Sequence, residues 1–170
     1  LSVIDKTLTA QGGRLLALHL SHPLTNIARL TTRLEMVNFF KENAPVRTGL
    51  REILKTTPDF ERSLSRLSLG RGGPRDLAAL REGVKIASTL QSHLKTFQDA
   101  PQGFIKIQRT LGEHSLLIDR LTRALAEDLP YFARDGGFIQ KGYHEALDEA
   151  RLLKEEGRKL IVNLQAKYAQ

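Results

Sequence analysis

Five histidines, two glycine-rich turns and a scatter of serines and carboxylates are where chemistry would have to be sought in these 170 residues. The histidines are His19, His22, His93, His114 and His144. No two stand at i, i+4, the spacing that puts two imidazoles on one helix face, and none sits in a His-Glu-x-x-His pattern. His19 and His22 are three apart, but only Asp5 offers a carboxylate nearby in sequence, so structural or surface histidines are expected rather than a metal site. There is no cysteine, which excludes disulfides, thiolate-held zinc, iron–sulfur clusters and a thiol nucleophile.

Gly70-Arg71-Gly72-Gly73-Pro74 invites comparison with a phosphate cradle. That motif needs a Lys-Ser/Thr after its last glycine, so that amides and an ammonium converge on the phosphates. Here a Pro follows and removes an amide donor, so a helix–helix turn is expected. Arg134-Asp135-Gly136-Gly137 has neither the preceding strand nor the third glycine of a dinucleotide fingerprint. Ser63, Ser65 and Ser68 fall inside a helical pattern, not on a strand-to-helix elbow. Asp148-Glu149 and Glu155-Glu156 read as solvated faces. With no catalytic set, no catalytic, cofactor-binding or metal-ligating residue is assigned.

The elements that would position any site are helical almost throughout. Leu15, Leu16, Leu18 and Leu20 form a short helix ending at His22-Pro23. Thr25 or Asn26 can cap a helix through Ile27, Leu30, Leu34, Val37 and Phe40. Asn43-Ala44-Pro45 breaks it, and Leu50, Ile53 and Leu54 give a short helix to Lys55. Thr57-Pro58-Asp59 predicts a cap, a Pro at the first helical position and an acid in the first turn, with Phe60, Leu64 and Leu67 facing the core. Pro74 opens a helix to about Thr96, and Asp99-Ala100-Pro101 is a turn. Phe104, Ile105 and Leu111 follow, then a run through Leu116, Leu117, Leu121 and Leu125 that Pro130 stops. Residues 131–142 form an irregular crossing. From Tyr143 onward, apolar positions 147, 150, 153, 160, 164 and 168, with Gly157 among them, step by threes and fours, the seam of a long packed or coiled helix.

Hydrophobic residues at 41% and charged residues at 26% are ordinary for a folded chain, and aromatics at 6% leave the core to Leu, Ile, Val and Ala. No apolar run approaches the ~20 residues of a membrane helix, and Leu1-Ser2-Val3-Ile4-Asp5 is no signal peptide. The chain lacks an initiator Met and so reads as a piece excised from a longer one. The net charge of +7 is compatible with a polyanionic partner or with a well-solvated surface.

Three stretches together resemble the lever (core) region of the MutS family of mismatch repair proteins. Asp5-Lys6-Thr7, Gly13-Arg14-Leu15-Leu16, Leu20, Pro23, Ile27, Arg33, Val37 and Phe39-Phe40 are similar to its opening segment. Glu61-Arg62, Arg66-Leu67 and Pro74-Arg75-Asp76-Leu77 are like its Asp-Leu-Glu-Arg…Arg…Pro-Arg-Asp-Leu pattern. Arg134-Asp135-Gly136-Gly137-Phe138-Ile139, Gly142-Tyr143 and Leu147-Asp148-x-x-Arg151 resemble its Asp-Gly-Gly-x-Ile-x-x-Gly-Tyr-x-x-Glu-Leu-Asp segment, which leads into the clamp. Ala17-Leu18-His19, where an aromatic is common, and Ala146, in place of an acid, depart from the pattern and leave the branch of the family open. Phe40-Lys41-Glu42 spells the family's mismatch-probing Phe-x-Glu, but at a helix end; it is read as coincidence.

The resemblance implies an all-α fold, an irregular multi-helix bundle of lever/core type with a long projecting C-terminal helix. Residues 1–142 would be the helical body and 143–170 the helix leading toward the clamp. It implies a non-catalytic lever linking the ATPase end to the DNA-clamping end of a cytoplasmic mismatch sensor. The parent would be a DNA-dependent ATPase, a homodimer acting on mismatched double-stranded DNA and not on membranes, with ATP and Mg held in parts this chain lacks and other domains of the same chain as partners. A stand-alone helical interaction module is the alternative. Lys154, Arg158, Lys159 and Lys167 are taken to fall on one broad side of the long helix, either facing DNA or simply solvating it. Gly136, Gly137 and Gly142 are assigned a structural role where the body meets the stem, at least one with positive φ.

Overall fold

The computed structural model describes residues 3–97 and 100–168, so Leu1-Ser2 and the Asp99 part of the expected turn lie outside the described residues. Among the described residues there are eight α-helices and no strand: α1 (Ala10–Ser21), α2 (Ile27–Glu42), α3 (Ala44–Leu54), α4 (Phe60–Ser68), α5 (Pro74–Leu94), α6 (Gln102–Thr110), α7 (Ser115–Ala124) and α8 (Glu145–Tyr168). The fold is all-α. Among the described residues the one extended pairing is an isolated antiparallel bridge between Leu125 and Ile139. No described helix is long and apolar enough to cross a membrane.

Local chemistry sets most helix ends. The Thr9 hydroxyl accepts the Gly12 N–H at 3.0 Å to start α1, and Asn26 accepts the Arg29 N–H at 3.0 Å to start α2. α3 begins at once after Asn43, earlier than Leu50 suggests, because Pro45 falls in the first turn, where its missing N–H costs nothing. The start of α4 also differs from expectation. The cap position is Asp59, not Thr57, and the Asp59 carboxylate makes no cap bond. It turns instead to the Arg14 guanidinium, at 2.9 and 2.7 Å, since a bidentate charged pair outweighs a single cap bond.

α5 is the hub, packing against α3, α4, α6 and α7. Its contact with α4 is close because Gly83 is buried there; a Cβ on it would stand 2.5 Å from the Phe60 ring. That approach turns Ser63 inward, 3% exposed, and leaves Leu64 half exposed rather than in the core. A further difference lies in the core itself. Its centre is Phe104, with Val46 and Leu94, and Phe39, Phe40 and Phe97 pack around it. The Phe39 and Phe104 rings meet at 5.1 Å between centroids and Phe97 meets Phe104 at 6.1 Å, both edge-on. Few aromatics are present, but the fold gathers four of the seven phenylalanines into one place, where each buries more area than an aliphatic residue can. Phe40 of Phe40-Lys41-Glu42 is one of these core rings.

α7 ends at Ala124, short of Pro130. Leu125 turns extended and buried, Ala126 N–H donates to the Phe138 carbonyl at 2.9 Å, and Gln140 N–H to that of Ala124 at 2.8 Å. This pairing consumes the backbone groups that further helix would have used.

Candidate functional site

The Gly70–Pro74 turn tests whether this chain could hold a phosphate. Gly70 has φ +67°. Its N–H donates to the Leu67 carbonyl at 3.0 Å and that of Arg71 to Arg66 at 2.8 Å, the paired bonds of a Schellman helix end. Gly73 N–H donates to the Asp76 carboxylate at 3.0 Å. Three of the turn's amides, those of Gly70, Arg71 and Gly73, are thus spent on the chain's own carbonyls and carboxylate. Gly72 is small for a different reason: a Cβ there would stand 2.5 Å from Leu67. The turn locks α4 to α5. Arg66 donates to Asp76 from Nε at 3.0 Å and also from Nη2, and to the Ser63 hydroxyl at 3.1 Å. The Arg66 guanidinium, outweighing the cost of burial, holds the Asp76 carboxyl down at about 2.

The histidines are dispersed. His19 meets Arg33 at 3.2 Å, His22 meets Ser21 at 2.9 Å, His114 meets the Leu111 carbonyl at 2.9 Å and His93 lies edge-on to Phe97. Among the described residues no three His, Cys, Asp or Glu side chains form a group that could hold a metal ion.

What the fold does build is a joint. Gly136, Gly137 and Gly142 have φ of +72°, +75° and +85°, a region that costs a residue with a Cβ about 1 kcal/mol or more. A Cβ on any of the three would meet nothing within 4 Å, so the requirement is backbone conformation, not space. Past the third glycine, Asp148 on the first turn of α8 accepts the Gly142 N–H at 2.6 Å and an Arg151 N–H at 3.0 Å. The Gly142 N–H first, then Arg151, holds the Asp148 carboxyl below its ordinary value. Arg151 also donates to the Ile139 carbonyl at 2.8 Å. Since Ile139 is bridged to Leu125 at the end of α7, the base of α8 is bolted to the body through backbone and charge together. Asp148 and Arg151 carry this joint; the acid–base pair at i, i+3, reaching from the first turn of α8 into the second, was the signal for it.

Beyond the joint, every described residue of α8 from Leu152 to Tyr168 is exposed. Its 24 residues span about 36 Å. Lys154, Arg158, Lys159 and Lys167 do not share one side. At about 100° per residue, Arg158 lies about 40° from Lys154, while Lys159 and Lys167 lie about 140° away in opposite directions. Lys159 pairs with Glu155 at 3.7 Å, both well exposed.

A family model for MutS domain III matches residues 1–170. Three similar relatives are each named DNA mismatch repair protein MutS. That of Nitrobacter winogradskyi is 46% identical over 171 residues, covering 100% of this chain and 19% of the relative. That of Roseobacter denitrificans is 42% identical, covering 99% of this chain and 19% of the relative. That of Bartonella tribocorum is 42% identical, covering 100% and 19%. The chain thus spans about a fifth of the length of the curated relatives it matches.

Proposed function

The chain belongs to the MutS domain III family, and from that premise we propose that it is a non-catalytic lever within a mismatch repair protein. The observation that carries this reading is the joint. A stiff helix is clamped at its base by Arg151, Asp148 and Gly142 and is free of the body from Leu152 on. A rotation of the body is delivered at the far end of such a helix. In this reading residues 1–142 are the lever body and 143–170 the helix leading toward a DNA clamp.

The parent would be a cytoplasmic, homodimeric, DNA-dependent ATPase that grips mismatched duplex. ATP and Mg would be held elsewhere in it, because the Gly70, Arg71 and Gly73 amides are engaged within the chain and Pro74 has none to offer. Nothing favours a stand-alone interaction module once the family match runs over the whole chain.

The test is Arg151→Ala in the parent protein. Mismatch binding and basal ATP hydrolysis should survive, while the effect of ATP on DNA release weakens. An ATP response unchanged by Arg151→Ala and by Asp148→Ala would refute transmission through this joint.

A further inference from the structure

Between the Gly70–Pro74 turn and the segment that follows α7, the body carries a cleft of about 500 Å³. Arg71 and Arg75 line it from the turn and the start of α5, Tyr131 and Phe132 from the other segment. The two rings are 68 and 53% exposed, with centroids 5.7 Å apart. Each has a guanidinium over one face. Arg75 stands 4.5 Å from the Tyr131 centroid, and Arg134 stands 4.6 Å from that of Phe132. Arg75 Nε also donates to the Leu129 carbonyl at 3.3 Å, which holds that guanidinium in place over the ring.

The positive charge here is not cancelled locally. Asp76, which also lines the cleft, is spent on Arg66 and on the Gly73 N–H. Asp135, next to Arg134 in the chain, accepts the Phe132 N–H at 3.3 Å. Among the described residues Arg71, Arg75 and Arg134 make no ion pair. Among the same residues no Leu, Ile or Val lines the cleft, so it offers little aliphatic surface for the dry centre of a protein interface. Guanidinium groups beside open aromatic rings match the two halves of a nucleotide, the phosphate and the base. A duplex keeps its bases stacked inside and presents only its backbone to such a patch.

We propose that this cleft binds single-stranded DNA. Tyr131 and Phe132 each stack a base, and Arg71 and Arg134 each meet a phosphate. Side chains, not the amides of the turn, receive the phosphates. Arg75 is a positioning residue that keeps charge against the Tyr131 ring. The site lies on the body and does not depend on the lever reading.

The experiment measures anisotropy of a short labelled oligothymidylate titrated with the full-length parent, free of nucleotide. Tyr131→Ala and Phe132→Ala should each weaken binding about five-fold or more, the usual loss for one stacked base. Arg71→Gln and Arg134→Gln should each lower the salt slope of log affinity by about 0.7, one phosphate contact on a single strand. An abasic strand of the same length should bind more weakly and ignore the ring variants. Mismatched duplex should bind every variant as it binds the wild type. Unchanged oligothymidylate affinity in both ring variants, an abasic strand bound as tightly, or an equal loss for duplex would each overturn the proposal. So would amide exchange over residues 131–136 that oligothymidylate leaves unmoved, as when another part of the parent already covers the rings.

Discussion

Replacing Asp76 by Asn removes one charge from the lock between α4 and α5 and keeps the side chain's size. The carboxylate is 14% exposed and accepts from Arg66 and from the Gly73 N–H. Its pKa falls from an ordinary 3.8 to about 2, and each unit is worth about 1.4 kcal/mol, so the ionised form adds about 2 kcal/mol of stability. Arg66 is half exposed, which brings the expected loss in Asp76→Asn to between about 1 and 2 kcal/mol. The sign follows from the lowered pKa. The contribution is complete above about pH 4, where the unfolded carboxyl is ionised, and is lost as pH falls through about 2. Urea unfolding of both proteins at pH 7, 5, 3.5 and 2.5 measures it. The other depressed carboxyls, among them Asp59 and Asp148, are common to both and cancel in the difference. At neutral pH the variant should also melt roughly 2–8 °C lower, at about 2–4 °C per kcal/mol for a chain of this size. Equal stability at pH 7, or a gap that does not shrink between pH 5 and 2.5, would refute the assignment of the lock to this ion pair.

Gly136→Ala, Gly137→Ala and Gly142→Ala should each lower stability by about 1 kcal/mol through backbone strain alone, measurable as a fall in unfolding midpoint; three unchanged midpoints would contradict the joint as described. Gly83→Ala should cost about 1–3 kcal/mol, because the new methyl meets the Phe60 ring, and a neutral effect in a melt would mean that α4 and α5 part easily. Phe104→Ala should cost about 3–5 kcal/mol by emptying the centre of the aromatic cluster. Duplex titrations of the 170-residue chain should show weak binding that falls steeply with salt and ignores a mismatch, since only phosphate contacts are on offer; tight, salt-resistant or mismatch-selective binding would place recognition here after all.

The period of the apolar residues and the punctuation by Pro, Gly and capping side chains sufficed to place most of the helices, because these are local effects within a few residues of chain; the break between α6 and α7 and the end of α7 at Ala124 were not among them. Pro23, Asn26, Pro74 and Gly70 act on their own backbone and are legible without a partner. The run of motifs ending at Leu147-Asp148-x-x-Arg151 was equally legible, as was the requirement for glycine near 136–142. Side-chain destinations were not. Asp59 leaves its cap for Arg14, 45 residues away in the chain, and nothing near Asp59 announces that. Leu64 leaves its expected core place half exposed, and Ser63 is buried instead, where Gly83 brings α5 close to α4. Four phenylalanines scattered from 39 to 104 become one core only when α2, α5 and α6 converge. The C-terminal basic residues looked like one group in a list of positions, but a helix turns about 100° per residue and divides them. Local sequence determines which backbone conformation is cheap at each point. Which side chains meet, and which of two competing hydrogen bonds or packings wins, depends on distances that exist only after the helices have docked.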